Sequence, residues 1–325
     1  MKETVRGCTL TDEAFPVTDK QPGPDKTRSV LAAERAWPFV SAVVAALSIA
    51  GWAYLSAMIA GMVPLMDMSE AGPGMGIFNL FNGFAGLPPE ARAALAALCL
   101  PDSVSTFGMP GSVWAAGDLF KVFLMWFMMV LAMMLPSAGP MLRCYVTAAA
   151  HTGTSVHRIR IDTVLVALGY IVVWTGYALL ATGAQWLMTG AGLLDQMMAP
   201  ISLTVTASVL TAAGIYQFTP AKQACLARCW YPRWHFALQS PHGTRPAHAF
   251  WEGLFQGLLC LGCCWAMMTV MFAVGIMNIV WIAVLGALMA LEKTFPNRVL
   301  TPLMGLLFLS WGGGLALVLV LGAGA

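Results

Sequence analysis

Most of the chain consists of apolar stretches that are long enough to cross a lipid bilayer. A membrane-spanning helix needs about 20 consecutive apolar residues. Only 10% of the 325 residues are charged, whereas a soluble domain carries about 25%. Backbone in lipid must satisfy its hydrogen bonds internally, so each stretch is predicted to be an α-helix. The seven predicted spans lie at about residues 38–63, 117–138, 162–188, 199–218, 250–273, 276–292 and 300–322.

The positively charged residues predict how these spans are oriented. Of the 17 Lys and Arg residues, 15 fall in the N-terminal arm and in segments 139–161, 219–249 and 293–299. The other two are Arg92 and Lys121. Loops rich in Lys and Arg stay in the cytoplasm. The N-terminus is therefore predicted to be cytoplasmic, and an odd number of spans puts the C-terminus outside.

The predicted organisation is an all-α, polytopic transmembrane helix bundle with one domain. Residues 1–36 are polar and mixed in charge, and they are predicted to form a flexible cytoplasmic arm. Residues 37–325 are predicted to form the transmembrane domain, with a long outer loop at 64–116 and a cytoplasmic loop at 219–249. The net charge of +2, without a basic patch, argues against nucleic acid as a partner. The predicted partner is the lipid bilayer.

The fifth predicted span concentrates sulfur on one face of a helix. Cys260 and Cys264 lie four residues apart, and Cys263 lies three residues from Cys260. Met267 and Met268 continue the stripe one turn further. Cysteine also packs well as a small buried residue, but three cysteines within five residues of a membrane helix favour metal ligation. Soft thiolate and thioether ligands suit Cu(I) better than Mg²⁺ or Ca²⁺.

A second candidate site follows the fourth predicted span. Cys225 and Cys229 are four residues apart, so they share a helix face that we place just inside the cytoplasmic surface. Nearby Lys222 and Arg228 favour their thiolates, and the pair can hold one Cu(I). The alternative is two unrelated interfacial cysteines. Zinc is the competing metal because three histidines follow: His235, His242 and His248. It is the weaker choice, since the loop lacks a second C-x2-C or H-x3-H pair.

The second predicted span contributes a run of methionines. Thioethers bind Cu(I) without losing a proton, so the run is a candidate ligand set. Methionine also fills irregular cores, and packing is the alternative interpretation. The candidate residues are Met128, Met129, Met133 and Met134.

Three polar residues lie at the ends of the sixth predicted span. A polar group within a membrane segment is a functional candidate by default. We nevertheless expect Asn278 to cap the helix after a turn at Gly275. We expect Glu292 and Lys293 to lie in water at the inner interface.

The order of these motifs resembles a bacterial family of predicted metal-binding integral membrane proteins, domain of unknown function 2182. The resemblance covers about residues 120–312. The stretches that carry it are MMVLAMMLPSAGP at 128–140, GYIVVW at 169–174, YQFTPAKQACLARC at 216–229, GLLCLGCCWAMM at 257–268, FAVGIMNIVW at 272–281 and EK at 292–293.

This resemblance implies a copper-handling protein of the bacterial inner membrane. Some members are thought to help load copper into polyphenol oxidases or multicopper oxidases. The family's ligand pattern falls on Cys225, Cys229, Cys260, Cys263, Cys264, Met128, Met129, Met133 and Met134. One departure is Gln256, one turn before Cys260, where many relatives carry histidine. If that histidine is a ligand in relatives, the site in this chain is softer or incomplete.

The sequence thus favours a membrane protein that binds Cu(I) through Cys and Met. Such a protein holds or delivers copper for a copper oxidase or another copper-handling protein. One alternative is a membrane copper oxygenase that acts on a hydrophobic substrate. The absence of histidine from every predicted span weighs against it. The other alternative is a structural subunit whose Cys and Met only pack.

The predicted topology can be tested with reporter fusions. A reporter fused after Ala325 should respond as periplasmic, and one inserted into the 219–249 loop as cytoplasmic, because the Lys and Arg residues lie on one side. A cytoplasmic response from the C-terminal fusion would contradict seven spans. The turn at Gly275 would then be the first boundary to revise.

Overall fold

The fold is almost entirely helical. The computed structural model describes residues 24–63, 67–81, 114–194, 200, 202–230, 246–295 and 299–323. Within these ranges the only β-type feature is an isolated bridge between Leu194 and Pro200. This confirms the predicted all-α class.

Nine helices of eight residues or more occur in these ranges. They are α1 Pro24–Met62, α2 Ala116–Ser137, α3 Gly139–His151, α4 Val156–Gly190, α5 Leu203–Gln217, α6 Pro220–Trp230, α7 Pro246–Thr269, α8 Ile279–Thr294 and α9 Leu300–Ala323. Short 3-10 helices occupy Met68–Ala71 and Met75–Phe81, and a helical turn at Met271–Val274 extends α7.

Five of the described helices are long and apolar enough to cross a membrane. They are Arg28–Met62, Ala116–Ser137, Val156–Gly190, Ala247–Val274 and Leu300–Gly322. The fourth and sixth predicted spans correspond to α5 and α8, which have 15 and 16 residues. Both are shorter than the roughly 20 residues of a full bilayer crossing.

Glycine brings α4 and α7 into close parallel contact. A Cβ added at Gly253 would lie 2.1 Å from the carbonyl oxygen of Val166. Gly169 faces the same part of α7, and further along Gly257 faces Val173. From one contact to the next, the residue numbers increase in the same direction on both helices, so α4 and α7 are parallel. We call the end at which α4 and α7 begin proximal, and the end at which they finish distal.

A second glycine-rich contact joins α5 to α9. Gly312 faces Thr211 near the middle of α5, and Gly305 faces Phe218 just after its end. Because the numbers run in opposite directions, these two helices are antiparallel. Since α4 and α7 point the same way, the chain must return toward the proximal end between them, and α5 makes the first part of that return as far as the middle of α7.

Three helices end inside the bundle, at the depth of the middle of α7. Lys293 at the end of α8 donates a 2.8 Å hydrogen bond to Ser137 at the end of α2. Tyr216 at the end of α5 donates a 2.6 Å hydrogen bond to the carbonyl oxygen of Gly262 in α7. The C-terminus of a helix carries partial negative charge. The interior at this depth therefore favours positively charged groups.

Proline accounts for two of these interruptions. Pro136 lies in the last turn of α2, and Pro140 lies at the start of α3. Pro220 begins α6, three residues after the end of α5. Proline cannot donate to the preceding turn, so each helix stops and the chain changes direction within the bundle.

Several boundaries differ from the prediction. Helix α1 begins at Pro24, so residues 24–36 of the predicted arm are helical. This stretch is rich in Ala, Leu, Glu and Arg, which favour helix, and Ala36 packs against α3 and α4. The predicted loop 219–249 begins with helix α6. Of the predicted outer loop 64–116, Met68–Ala71 and Met75–Phe81 form 3-10 helices against the bundle, while residues 64–66 and 82–113 lie outside the described residues.

The close contact between α4 and α7 should make Gly253 intolerant of a larger residue. Gly253→Ala forces backbone apart, and overpacking of this kind destabilises by about 1–3 kcal/mol. We expect a lower midpoint of thermal unfolding for the purified protein. Gly183→Ala is the matched control, since a Cβ there meets nothing within 4 Å. Equal behaviour of the two variants would contradict the glycine-mediated contact.

Candidate metal centre

Three thiols lie together in the middle of α7. The sulfur atoms of Cys260, Cys263 and Cys264 are all within 4.8 Å of one another. The sulfurs of Cys263 and Cys264 are 3.3 Å apart. All three residues are buried, with exposures of 3%, 0% and 0%. Helical spacing of three and four residues produces this cluster, as the sequence predicts.

Helix α6 packs the predicted second pair against this cluster, and Cys229 is the member that faces a thiol of α7. The sulfur of Cys229 lies 3.9 Å from that of Cys263. Cys225 packs on Gly262, where an added Cβ would be 2.7 Å from its sulfur. Both cysteines are half-buried. The expectation of a separate site just inside the surface is therefore wrong. The turn at Pro220 lays α6 against the middle of α7.

Two polar side chains organise the sulfur of Cys260. Lys293 Nζ lies 2.7 Å from it and also donates to Ser137 Oγ. The hydroxyl of Tyr170 lies 2.9 Å from the same sulfur and 3.1 Å from the carbonyl oxygen of Met134. An adjacent ammonium group favours a thiolate over a thiol. Cys260 is thus the cysteine whose negative charge the surroundings stabilise most directly.

A fully buried ion pair lies beside the cluster. Lys222 Nζ donates to Glu292 Oε2 at 3.0 Å, and both side chains are 0% exposed. Thr301 donates to the other carboxylate oxygen at 2.6 Å. Lys222 Nζ also lies 3.8 Å from the sulfur of Met267. The pair is neutral as a whole, which leaves the ammonium of Lys293 to balance charge on the thiols.

The expectation that Glu292 and Lys293 lie in water is wrong. Glu292 is 0% exposed and Lys293 is 8% exposed. The reason is that α8 ends at the depth of the cysteines instead of at the surface. The sequence already indicated a functional role for these two residues, because charged residues beside a membrane-length apolar run are functional candidates. The expected cap is confirmed, since Asn278 accepts a hydrogen bond from the backbone of Trp281.

The predicted methionines lie on two helices, α7 and α2. Met267 and Met268 are fully buried on α7, one turn beyond the cysteines. In α2, Met133 packs against Gly286, and the backbone carbonyl of Met128 faces Gly51 of α1. Of the four predicted methionines of α2, Met129, Met133 and Met134 are buried, whereas Met128 is half-buried.

Gln256, one turn before Cys260, forms a hydrogen bond to a carboxylate. Gln256 donates to Glu252 at 3.1 Å, and both residues are largely buried. The amide thus has a hydrogen-bond partner within α7. His248, at the exposed start of this helix, is far from the cluster along the chain, and His235 and His242 lie outside the described residues.

The donor set of the site is dominated by sulfur. Four thiols from two helices converge, and Met267 is the neighbouring thioether. Soft ligands of this kind select Cu(I) or Zn²⁺ over Mg²⁺, Ca²⁺ and Mn²⁺. The chemistry available is therefore the binding and exchange of a soft cation.

The buried ion pair gives a prediction about stability. Replacing Lys222 by Met leaves the Glu292 carboxylate without its partner, and breaking a buried pair costs about 3–5 kcal/mol. The double variant Lys222→Met/Glu292→Gln should be more stable than Lys222→Met alone, because it removes the charge and keeps an acceptor for Thr301. Thermal unfolding of the purified variants measures this.

The exposed pair Lys121–Asp118 provides the matched control. Lys121→Met should change stability by less than about 1 kcal/mol, as is usual for surface pairs. A double variant that is as unstable as the sum of its single changes would contradict the pairing of Lys222 with Glu292.

Comparison with known proteins gives one family. A sequence profile described as PpoB2, copper chaperone, matches residues 123–315. This is more than half of the chain, and it runs from α2 into α9. It includes the four thiols of the site and the neighbouring Cys225, together with Tyr170, Glu292 and Lys293. No protein of curated function and no solved structure matches the chain.

Proposed function

The chain belongs to the PpoB2 copper chaperone family, and we propose that it holds Cu(I) within a membrane and passes it to a copper oxidase or another copper-handling protein. The ligands in this proposal are the thiols of Cys229, Cys260, Cys263 and Cys264. The observation that carries the proposal is the group of three buried thiols within 4.8 Å, one of them in contact with an ammonium group.

Charge balance favours Cu(I) with two thiolates. Two thiolates and one Cu(I) carry one net negative charge, which the ammonium of Lys293 neutralises. Burying uncompensated charge in an apolar interior is costly. Zn²⁺ in a closed site takes four ligands in a tetrahedron. Four thiolates would leave negative charge that Lys293 alone does not balance. A neutral thiol or thioether as third ligand fits the same balance for Cu(I).

The helix directions support seven crossings. Parallel α4 and α7 need a return between them, and α5 makes its first part. Antiparallel packing of α9 on α5 is what seven spans require. Arg143 and Arg160 lie at the proximal end, where they stack on Trp37 and Phe39 of α1. We therefore propose that the proximal end is cytoplasmic, in the inner membrane of a bacterium.

Release of the Cu(I) ion is possible because its ligands belong to two different helices. Cys229 belongs to α6, and the other three thiols belong to α7. Movement of α6 away from α7 would lower the number of thiolates around the ion. Met267 and Met268 lie one turn further and offer weaker, uncharged ligands. The methionines of α2 extend this set: Met128, Met129, Met133 and Met134.

Copper content of purified variants tests the proposal. The triple variant Cys260/Cys263/Cys264→Ala should insert and fold, at a cost of about 1 kcal/mol of cavity for each lost sulfur and a further cost at Cys260, because Lys293 then keeps only Ser137 as its partner. It should nevertheless lose the copper that the wild-type protein retains. Elemental analysis of both proteins after Cu(I) loading gives the result.

Single substitutions in α6 sharpen the test. Cys229→Ser should lower copper retention, because its sulfur faces Cys263. Cys225→Ser is the matched control, because Cys225 faces Gly262. Unchanged copper in the triple variant would contradict the proposed site. Equal effects of the two serine variants would contradict the placement of Cys229 in it.

A further inference from the structure

Helix α6 covers the thiol cluster with one face and leaves its other face exposed. On the face toward the bundle, Lys222 and Leu226 are buried, while Cys225 and Cys229 are half-buried. Between these residues, the exposed positions are Gln223, Ala224, Ala227 and Arg228. The helix therefore lies as a single layer over the cysteines of α7, and its position decides whether Cys229 reaches them.

The start of α6 is fixed to two other helices. Tyr216, at the end of α5, donates a 2.6 Å hydrogen bond to the carbonyl oxygen of Gly262 in α7. Thr219 Oγ1 accepts a 3.3 Å hydrogen bond from the backbone N–H of Lys222. The side chain of Lys222 then forms the buried ion pair with Glu292 of α8 at 3.0 Å. The first turn of α6 is thus held on α7 and on α8 at once.

The other end of α6 is attached to α8 through Trp230. The indole N–H of Trp230 donates to the backbone carbonyl oxygen of Glu292 at 2.7 Å. Trp230 directly follows Cys229, whose sulfur lies 3.9 Å from that of Cys263. Glu292 therefore accepts from both ends of α6, from Lys222 through its carboxylate and from Trp230 through its backbone. The two donors are separated by about 12 Å of helix.

The end of α8 joins the two helices that carry the thiols. Glu292 holds α6, and the next residue, Lys293, lies 2.7 Å from the sulfur of Cys260 in α7. Thr301 of α9 fixes the carboxylate of Glu292 by donating to it at 2.6 Å. The thiol of α6 and the thiols of α7 are therefore placed relative to the same two residues.

We propose that Trp230 is a positioning residue for copper, and that its hydrogen bond to Glu292 keeps Cys229 on the ion. When this bond breaks, the end of α6 moves away while its first turn stays fixed. The inference rests on the proposed function and identifies the contact that sets how fast Cu(I) leaves. An incoming thiol of the acceptor binds copper as Cys229 leaves. The proton of that thiol passes to the sulfur of Cys229, and copper stays Cu(I).

Transfer of Cu(I) from the loaded, purified full chain to an excess of the chelator bathocuproine disulfonate tests this role. Trp230→Phe removes the indole donor and keeps an aromatic ring. It should bind as much copper as the wild type and release it about five-fold faster, which is roughly the effect of one neutral hydrogen bond.

Trp52→Phe is the matched control for this variant. The indole of Trp52 also donates to a backbone carbonyl oxygen, that of Ala132 at 3.1 Å, but it joins α1 to α2. This variant should release copper at the wild-type rate. Equal release rates of Trp230→Phe and Trp52→Phe would overturn the inference.

A Cys229→Ser background shows whether Trp230 acts through Cys229. Adding Trp230→Phe to Cys229→Ser should leave the release rate of the Cys229→Ser protein unchanged, because the ligand that Trp230 positions is already absent. A general loosening of the fold would speed release in both backgrounds. That result would contradict a positioning role.

Hydrogen exchange of the wild-type protein tests the same movement without a substitution. Cu(I) loading should slow exchange of the backbone amides of residues 226–230, because the ion ties Cys229 to α7. Unchanged exchange there would overturn the inference. A wild-type protein that binds no Cu(I) would overturn the proposed function as well. Copper retained by the wild type, with equal release from the two tryptophan variants, would overturn the role of Trp230 alone.

Discussion

The contact between Lys293 and Cys260 is the interaction on which the rest of the site depends. An ammonium group at 8% exposure needs a partner of opposite charge, and a sulfur at 2.7 Å supplies one when it is a thiolate. Tyr170 and Ser137 complete the hydrogen bonds on either side. The thiol cluster therefore contains a ligand that is prepared for a soft cation before the cation arrives.

Helices that end inside the bundle explain how charged groups come to lie at the depth of the thiol cluster. Helices α2, α5 and α8 end in the interior, and Lys222 and Lys293 lie at or just beyond these ends. The C-terminal ends carry partial negative charge and favour cations. Interrupted helices are tolerated inside a membrane where the freed backbone is buried in protein. The long helices α4 and α7, joined through Gly169 and Gly253, provide the rigid frame against which the interrupted ones end.

Apolar length and periodicity were sufficient to predict the long helices and the cysteine cluster, but they did not predict α6 or the helical residues 24–36. A cluster made by residues three and four apart on one helix is a local property, so Cys260, Cys263 and Cys264 could be placed together from sequence. The approach of Cys229 to Cys263 is different, because it depends on the turn at Pro220. The burial of Glu292 likewise depends on where α8 ends within the bundle. Apolar length predicts that a helix forms, but the depth at which it stops is set by its neighbours.

X-ray absorption at the copper edge of the purified, Cu(I)-loaded protein tests the central claim most directly. Charge balance with Lys293 and the soft donor set predict about two to three sulfur scatterers around a reduced copper ion. The same spectrum should change when Cys260, Cys263 and Cys264 are replaced by alanine. A first shell dominated by nitrogen or oxygen would contradict the account. It would mean that copper binds elsewhere in the chain and that the buried thiols only pack.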